Sequence, residues 1–272
     1  MNTGLVLSGG GVRGIAHVGV IKALEEHQMQ PSYIAGTSAG AIVGALYAGG
    51  CSWQQMLDFF KTTQLFSFTN YAMGKPGLLD TEKFYEQFSA YFPIDDFKAL
   101  QIPLIVTATN LLDGTLKTFE SGNLIKTILA SAAVPGVFAP VAIESGYYAD
   151  GGILNNFPVD VIKHKCDTII GVYVNPFQNV EKDSLKHVYN IMERSYHIML
   201  ARETSLKFKD CDLLIRPSRM KEFSTFSLKN SDTIFNLGYE SAIAAIEKNK
   251  LKKDKALKAI NLELINGFSI PK

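Results

Sequence analysis

The chain has 272 residues, of which 47% are hydrophobic, and its formal net charge at pH 7 is +1. This length allows one large domain or two small ones, and the hydrophobic fraction is sufficient for a sizeable core. A net charge this close to zero gives no reason to expect a nucleic-acid partner.

The cysteine pattern and the N-terminus bear on the cellular compartment. Cys51, Cys166 and Cys211 lie far apart and form no C-x-x-C pair, so neither a disulfide framework nor a zinc site is indicated. The N-terminus also lacks the basic segment of a secretory signal. Residues 28–57 are uncharged, but they are rich in Gly and Ala and therefore too weakly apolar for a membrane span. We therefore expect a cytoplasmic protein.

The first predicted strand, residues 4–7, runs directly into a glycine-rich turn, and residues 12–27 then have the apolar spacing of a helix. The turn matches G-x-G-x-x-G. A dinucleotide-binding fold would place an acidic residue about 20 positions later, where residues 34–38 contain none. Two alternatives remain: an oxyanion hole built from backbone N–H groups, and a turn without a catalytic role. The candidate residues are Gly9, Gly10, Gly11, Arg13 and Gly14.

The next motif is Gly36-Thr37-Ser38-Ala39-Gly40, a G-x-S-x-G pentapeptide that follows the apolar residues 32–35 and precedes the apolar residues 41–48. A strand, a sharp turn and a helix fit this order. In such an elbow the serine is held in a strained conformation with its hydroxyl exposed, and small neighbours let strand and helix approach. A Gly- and Ala-rich helix start with an incidental serine is the alternative for the pentapeptide alone.

Between the elbow and the centre of the chain we predict two helices, residues 53–61 and 80–92. The irregular segment between them, residues 65–79, carries several aromatic side chains. These side chains suit either a lid that contacts lipid or a small core beneath a long loop, and we favour the core.

The centre of the chain alternates strands with helices, which predicts a mostly parallel sheet covered on both faces. We predict a strand at 102–108 with a hairpin partner at 115–119, and a helix at 123–133. A second hairpin at 141–149 delivers Asp150-Gly151-Gly152 to a strand end. A helix at 158–165 and a strand at 168–174 follow.

The C-terminal third is predicted to contain a long helix at 183–209, a short strand at 213–215 and a helix at 232–249. Residues 248–258 hold six lysines, which suit anionic lipid or, more commonly, a solvated helical face. The chain has no internal repeat or linker. We therefore expect a single domain over residues 1–272, with core motifs in 3–176 and C-terminal helices and a basic tail in 183–272.

A serine hydroxyl needs a neighbouring base to become a nucleophile. His17, His164, His187 and His197 all lie in helical patterns, where a histidine is usually a packing or surface residue. Asp150 ends a strand and precedes two glycines, so it is placed either for catalysis or for a tight turn. As a base it would need burial, because a free Asp has a pKa of ~3.9.

Taken together, these motifs resemble the patatin-like phospholipase family, particularly its short bacterial members. Residues 9–14 resemble the family's oxyanion motif, 36–40 its nucleophile elbow, and 150–152 its acid motif. Residues 130–140 resemble its A-S-x-A-x-P-x-x-F-x-P stretch. The resemblance extends over residues 3–176. Ser8 stands where many relatives have Asp.

The resemblance implies a three-layer α/β/α fold with a mostly parallel central sheet. It implies a dyad in which Ser38 is the nucleophile and Asp150 the general base, with the oxyanion held by the amides of Gly10, Gly11 and nearby residues. It also implies an acyl-enzyme intermediate, fatty-acyl esters of lipids as substrates, and no metal or cofactor. With such substrates, we expect the protein to contact the inner face of a membrane transiently.

Two other functions stay open at this point. One is an acyltransferase that uses a histidine base and transfers the acyl group to an alcohol or thiol. The other is a lipid-binding module without catalysis on the same fold. The sequence does not fix the head group, the acyl chain or the oligomeric state.

Overall fold

The structure is a computed structural model that describes residues 1–63, 81–177, 179–223 and 228–267. The aromatic-rich segment 65–79 lies outside these residues. The strands are β1 Thr3–Leu7, β2 Tyr33–Thr37, β3 Leu104–Asn110, β4 Thr115–Phe119, β5 Val141–Ile143, β6 Gly146–Asp150, β7 Thr168–Val172 and β8 Leu213–Ile215. The helices are α1 Ile15–Glu26, α2 Ala39–Ala48, α3 Trp53–Thr62, α4 Thr81–Ser89, α5 Leu124–Ser131, α6 Val188–Lys207 and α7 Ser231–Gly267.

The strands form one mixed sheet in the order β5-β6-β3-β2-β1-β7-β8, and β4 also pairs with β3. Strands β1, β2, β3, β7 and β8 are mutually parallel, whereas β4, β5 and β6 are antiparallel to their neighbours. The predicted α/β class with a mostly parallel central sheet is therefore confirmed. We call the edge at which the parallel strands end the carboxyl edge.

The two faces of the sheet are covered differently. Leu5 and Leu7 point into the larger core, to which α1, α2, α5 and α7 contribute, whereas Val6 points into a smaller core on the other face. The smaller core contains side chains from residues 157–162 and, at its margin, Phe208 just after α6. The second helical layer is therefore thin, and irregular chain completes it.

The predicted helix at 158–165 is wrong, because residues 160–165 form consecutive turns. Only one hydrogen bond has the spacing of an α-helix, from the Lys163 amide to the Val159 carbonyl at 3.0 Å, and the amides of Ile162 and Lys165 make tighter 3₁₀-type bonds. The carboxylate of Asp160 is held by the side chains of Asn155 and Lys207, which fixes the segment against α6. These side-chain contacts outweigh the apolar spacing that predicted a helix.

The two C-terminal helices also differ from prediction in their bounds. A 3₁₀ turn, Lys182–Leu185, precedes α6, and the extended backbone of His187 (φ −108°, ψ 143°) delays the helix until Val188. Helix α7 is longer than predicted, so the lysine-rich residues 248–258 are helical. No helix in the described part of the chain is long and apolar enough to cross a membrane.

Candidate active site

Strand β3 brings the two candidate catalytic residues together. Thr107 pairs with Thr37 of β2 and also with β4, while Ala108 pairs with Asp150 of β6 and also with β4. Because β4 pairs with residues 106–110 along one side of β3, β2 and β6 follow one another along the other side, β2 at residues 104–107 and β6 at residues 108–110. The end of β2, followed by Ser38, therefore meets the end of β6 at Asp150.

Ser38 has the backbone conformation of a nucleophile elbow. Its φ of 55° and ψ of −123° lie in a region that a residue with a side chain rarely adopts. Its amide donates to Ser131 Oγ at 2.8 Å, which ties the elbow to the end of α5. A Cβ on Gly36 would lie 2.6 Å from the Gly40 carbonyl oxygen, so the tight turn requires glycine there.

Ser38 and Asp150 lie next to each other, because Thr37 and Asp150 pair with adjacent residues of β3. Both residues are 3% exposed. One carboxylate oxygen of Asp150 accepts the Gly152 amide at 2.6 Å, and the Asp150 amide donates to the Ala133 carbonyl at 2.9 Å. Burial raises the pKa of Asp150 to about 6, although the hydrogen bonds from Ser38 and Gly152 oppose this rise. The carboxylate is thus a far better proton acceptor than an exposed Asp.

The glycine-rich loop after β1 is anchored first through the peptide bond between Ser8 and Gly9. The Ser8 carbonyl oxygen lies 2.8 Å from Nε2 of the fully buried His17. Burial lowers the pKa of His17 to about 4, so its ring is neutral near pH 7. Nε2 carries the ring proton, because a carbonyl can only accept. The Gly9 amide donates to the Asn156 carbonyl at 3.1 Å and is therefore already engaged.

The next peptide bond, between Gly9 and Gly10, is anchored by Asn175. The side-chain amide of Asn175 donates to the Gly9 carbonyl oxygen. In a trans peptide the N–H points opposite to the C=O, so the Gly10 amide is turned away from Asn175. Within the described part of the chain, the amides of Gly10 and Gly11 donate to no acceptor. They are the donors of this loop that a ligand beside Ser38 could use.

Arg13 and Gly14, the other predicted residues of the loop, hold it in place. Arg13 donates through Nε and Nη2 to the Phe223 carbonyl at 3.0 and 2.8 Å, and through Nη1 to Asn175 Oδ1 at 3.4 Å. A Cβ on Gly14 would lie 2.6 Å from Cβ of Ala39, so the loop packs directly on the elbow. Arg13 therefore anchors the same side chain that holds the Gly9 carbonyl.

No candidate histidine among the described side chains is seen to bond the Ser38 hydroxyl. His17 uses Nε2 for the Ser8 carbonyl, while His164 and His187 are exposed. His197 lies on α6, and its side chain is outside the described residues. In the ranges that the structure describes, no three His, Cys, Asp or Glu side chains are grouped as metal ligands.

Asn175 and Ser131 are residues of this site to which the sequence assigned no role. Each had a recognisable signal. Asn175 is a polar residue just beyond the carboxyl end of the buried strand β7, and Ser131 lies within the stretch that resembles the family. Their partners, Gly9 and Ser38, are distant in sequence, so only the folded chain identifies the contacts.

The chain matches known proteins over most of its length. The family model of the patatin-like phospholipases matches residues 5–163. An uncharacterized NTE family protein of Mycobacterium bovis is 34% identical over 202 residues, which cover 70% of this chain and 55% of that protein. Lysophospholipase NTE1 of Mycosarcoma maydis is 27% identical, with coverage of 91% and 15%. The chain thus spans about half the length of the mycobacterial relative and far less of NTE1.

A solved structure has a similar fold. VipD from Legionella pneumophila aligns with a TM-score of 0.57 at 16% sequence identity, over 91% of this chain and 67% of that one. At 16% sequence identity, this similarity shows a shared fold and nothing about function.

Proposed function

Because this chain belongs to the patatin-like phospholipase family, we propose that it is a serine acyl hydrolase that cleaves fatty-acyl esters of lipids with Ser38 and Asp150. The observation that carries this proposal is the position of Ser38 beside the buried carboxylate of Asp150. The two residues come from strand ends that meet on β3. This is the arrangement of a nucleophile beside its base.

In the first step, Ser38 Oγ attacks the ester carbonyl carbon while its proton passes to Asp150. The carbonyl oxygen becomes an oxyanion, which the amides of Gly10 and Gly11 stabilise. When the tetrahedral intermediate collapses, the bond to the leaving alcohol breaks and Asp150 returns the proton to that alcohol. The acyl group remains on Ser38.

In the second step, Asp150 takes a proton from a water molecule, which attacks the acyl carbonyl. The same amides hold the second oxyanion, and the proton returns to Ser38 Oγ as the fatty acid leaves. The raised pKa of Asp150, about 6, suits a base that must accept and return one proton near neutral pH.

The loop amides are effective only if they are fixed before the reaction, since preorganised donors stabilise charge without reorganisation. His17 and Asn175 supply this rigidity by binding the Ser8 and Gly9 carbonyls. We assign them as positioning residues, because they act through the loop rather than on the substrate.

The substrate class follows from the relatives. NTE1 of Mycosarcoma maydis is named a lysophospholipase, and its match covers 91% of this chain. We propose a glycerolipid or lysophospholipid ester as the substrate, met at the cytoplasmic face of a membrane.

The test is mass spectrometry after incubation with a fluorophosphonate, which reacts with activated serines. We expect one adduct, mapped to Ser38 in the wild type, absent in Ser38→Ala and at least ~10²-fold slower to form in Asp150→Ala. Ser89→Ala, which removes a half-buried serine on α4 whose hydroxyl donates to the Tyr85 carbonyl, is the control and should label normally. Labelling of Asp150→Ala at the wild-type rate would refute the dyad, and a folded wild type that forms no adduct would favour a binding module.

A further inference from the structure

Large apolar side chains are exposed on both sides of Ser38. The strand order β3-β2-β1-β7 places the loops after β3 and β7 on either side of the catalytic loops after β2 and β1. Leu111 and Leu112 follow β3, and Leu112 is 68% exposed. Phe177, which follows β7, is 52% exposed. These loops leave the sheet at its carboxyl edge, so both apolar groups flank the site.

Helix α6 extends this surface on the β7 side. Val188, Ile191 and Met192 are spaced so that they share one face of the helix, and all three are exposed, Met192 by 67%. A helix that covers a sheet normally turns its apolar side chains inward. Among the α6 side chains that the structure describes, Thr204 is the buried one, and Lys207 anchors the helix by donating to Asn155.

Two contacts connect α6 to the catalytic region. The guanidinium of Arg194 lies 4.3 Å from the ring centre of Phe177, which joins the helix to the loop after β7. The helix also contacts the 3₁₀ turn Gly151–Ile153, which begins directly after Asp150. These contacts place α6 beside the loop after β7 and the turn after Asp150, so its exposed apolar side chains lie on the β7 side of the site. We call the exposed apolar side chains on the two sides of the site the apolar rim; it comprises Leu111, Leu112, Phe177, Val188, Ile191 and Met192.

We propose that the apolar rim docks the protein on the surface of a phospholipid bilayer, so that an acyl ester can pass directly from the lipid to Ser38. The inference rests on the proposed function, because it is the lipid substrate that makes a bilayer the occupant of this surface. A second copy of the chain bound to the rim would instead cover the loops around Ser38 and would bring no substrate to it. The six residues of the rim are uncharged, so burial of their apolar side chains rather than attraction to headgroups drives binding at this surface.

The experiment measures flotation of the protein with phosphatidylcholine vesicles. Ser38→Ala serves as the parent, since it does not consume the lipid. In this background, Leu111→Ser/Leu112→Ser and Ile191→Ser/Met192→Ser each remove one side of the rim. We expect each pair to lower the vesicle-bound fraction by roughly five-fold or more, because apolar area that would enter the lipid is lost. Circular dichroism checks that both variants remain folded.

Ile94→Ser is the matched control. Ile94 is 65% exposed, much like Leu112, but it lies near the opposite end of α5 from the site. Its neighbour Asp95 accepts the Ile125 amide at the start of α5, whereas the end of that helix reaches Ser38. We expect this variant to bind vesicles like the parent. Binding by the parent should also persist from ~50 to ~500 mM NaCl, because apolar contacts are not screened.

Several outcomes would overturn the proposal: a parent that does not float with vesicles, rim variants that bind as well as Ile94→Ser, or binding that high salt abolishes. A dimer that the rim substitutions dissociate, without vesicle binding, would replace the bilayer by a second copy. Hydrolysis of a water-soluble ester by the wild type is measured separately. Its absence would count against the proposed function, whereas the flotation result tests the rim alone.

Discussion

Helices α1 and α7 pack tightly against each other, and the carboxyl edge of the sheet is also tightly packed. The first region stabilises the fold, whereas the second holds the catalytic groups. At the helix contact, a Cβ on Gly19 would lie 2.8 Å from the Tyr239 amide nitrogen, and one on Gly238 would lie 2.8 Å from Cα of Ala16. The two backbones touch, and apolar residues such as Ile234 are completely buried around them. This region stabilises the fold through packing.

The carboxyl edge holds groups that destabilise the folded state. Ser38 has a strained backbone, Asp150 is a buried carboxylate, and Nδ1 of His17 is buried without a hydrogen-bond partner among the described residues. Each of these features costs about 1–3 kcal/mol in general. The strain and buried polar groups of the catalytic edge are tolerated because packing elsewhere, as between α1 and α7, stabilises the fold. Substitutions in the two regions should therefore have opposite effects on the free energy of unfolding.

The largest expected effect is on activity. Asp150→Asn keeps the shape of the side chain but removes the base, so we expect kcat/KM for a soluble ester to fall by ~10³-fold or more, which equals about 4 kcal/mol. Thermal unfolding should show that the variant is at least as stable as the wild type, because a buried charge has been removed. A less stable variant would contradict the contrast between the regions.

Gly238→Val should instead lower the stability of the folded protein. The new side chain would overlap the backbone of α1, so we expect unfolding to become easier by about 3 kcal/mol or the protein to fail to fold. Asn236→Val, on the exposed side of α7, is the control and should stay within about 0.5 kcal/mol of the wild type. Urea denaturation measures both variants, and equal midpoints would refute the close contact.

The pH dependence of stability should report the buried acid. The folded protein retains the Asp150 proton up to about pH 6, because burial raises its pKa, whereas the unfolded chain releases it near pH 4. The unfolded state therefore binds fewer protons between these values, and stability falls as pH rises through this window, by about 3 kcal/mol in total.

Asp150→Asn should lack this contribution, so the difference between the wild-type and variant free energies of unfolding should change from pH 4 to pH 6.5. Wild-type kcat/KM should rise over the same range as the base loses its proton. A constant difference between the two proteins would indicate that Asp150 titrates normally.

Asn175→Ala tests the anchoring of the oxyanion loop. Without its donor the Gly9 carbonyl is released and the Gly10 amide loses its fixed direction, so we expect kcat to fall by about 10- to 10²-fold with little change in KM. Asn179→Ala, an exposed residue of the same connecting segment, should behave as the wild type. A rise in KM alone would assign Asn175 to substrate binding instead.

Ser38→Gly should change the stability of the protein only slightly. Glycine adopts positive φ without penalty, so relief of the strained elbow should stabilise the protein by about 1 kcal/mol while activity is lost. Ser38→Ala, which keeps the strain, is the comparison, and differential scanning calorimetry should rank the glycine variant as the more stable. The reverse order would mean that the elbow stores no strain.

The sequence predicted the features of this fold that depend on local pattern. The strands, the elbow at Ser38 and the strand-end position of Asp150 follow from apolar runs interrupted by glycines, and the strands are confirmed. The segment 158–165 was predicted wrongly, because its conformation depends on a contact between Asp160 and Lys207 that no local pattern reveals.

The same limit applies to the site. The meeting of β2 and β6 depends on the register of each with β3, and the anchoring role of Asn175 depends on a contact with Gly9 across the sheet. The segment of α6 was predicted only as a long helix, without an exposed apolar face. In each case the partner is distant in sequence, and packing rather than propensity decides the outcome.

The side of β3 that β2 and β6 share sets the distance between the nucleophile and the base. Strands β2 and β6 are not hydrogen-bonded to each other, so the interval between nucleophile and base is measured by two adjacent residues of β3, Thr107 and Ala108. A slip of β6 by one residue would move Asp150 by about 3.3 Å and turn its side chain to the opposite face of the sheet. The reacting pair therefore exists in one alignment of the hairpin only, and an incorrectly aligned hairpin leaves a folded sheet with an inert serine.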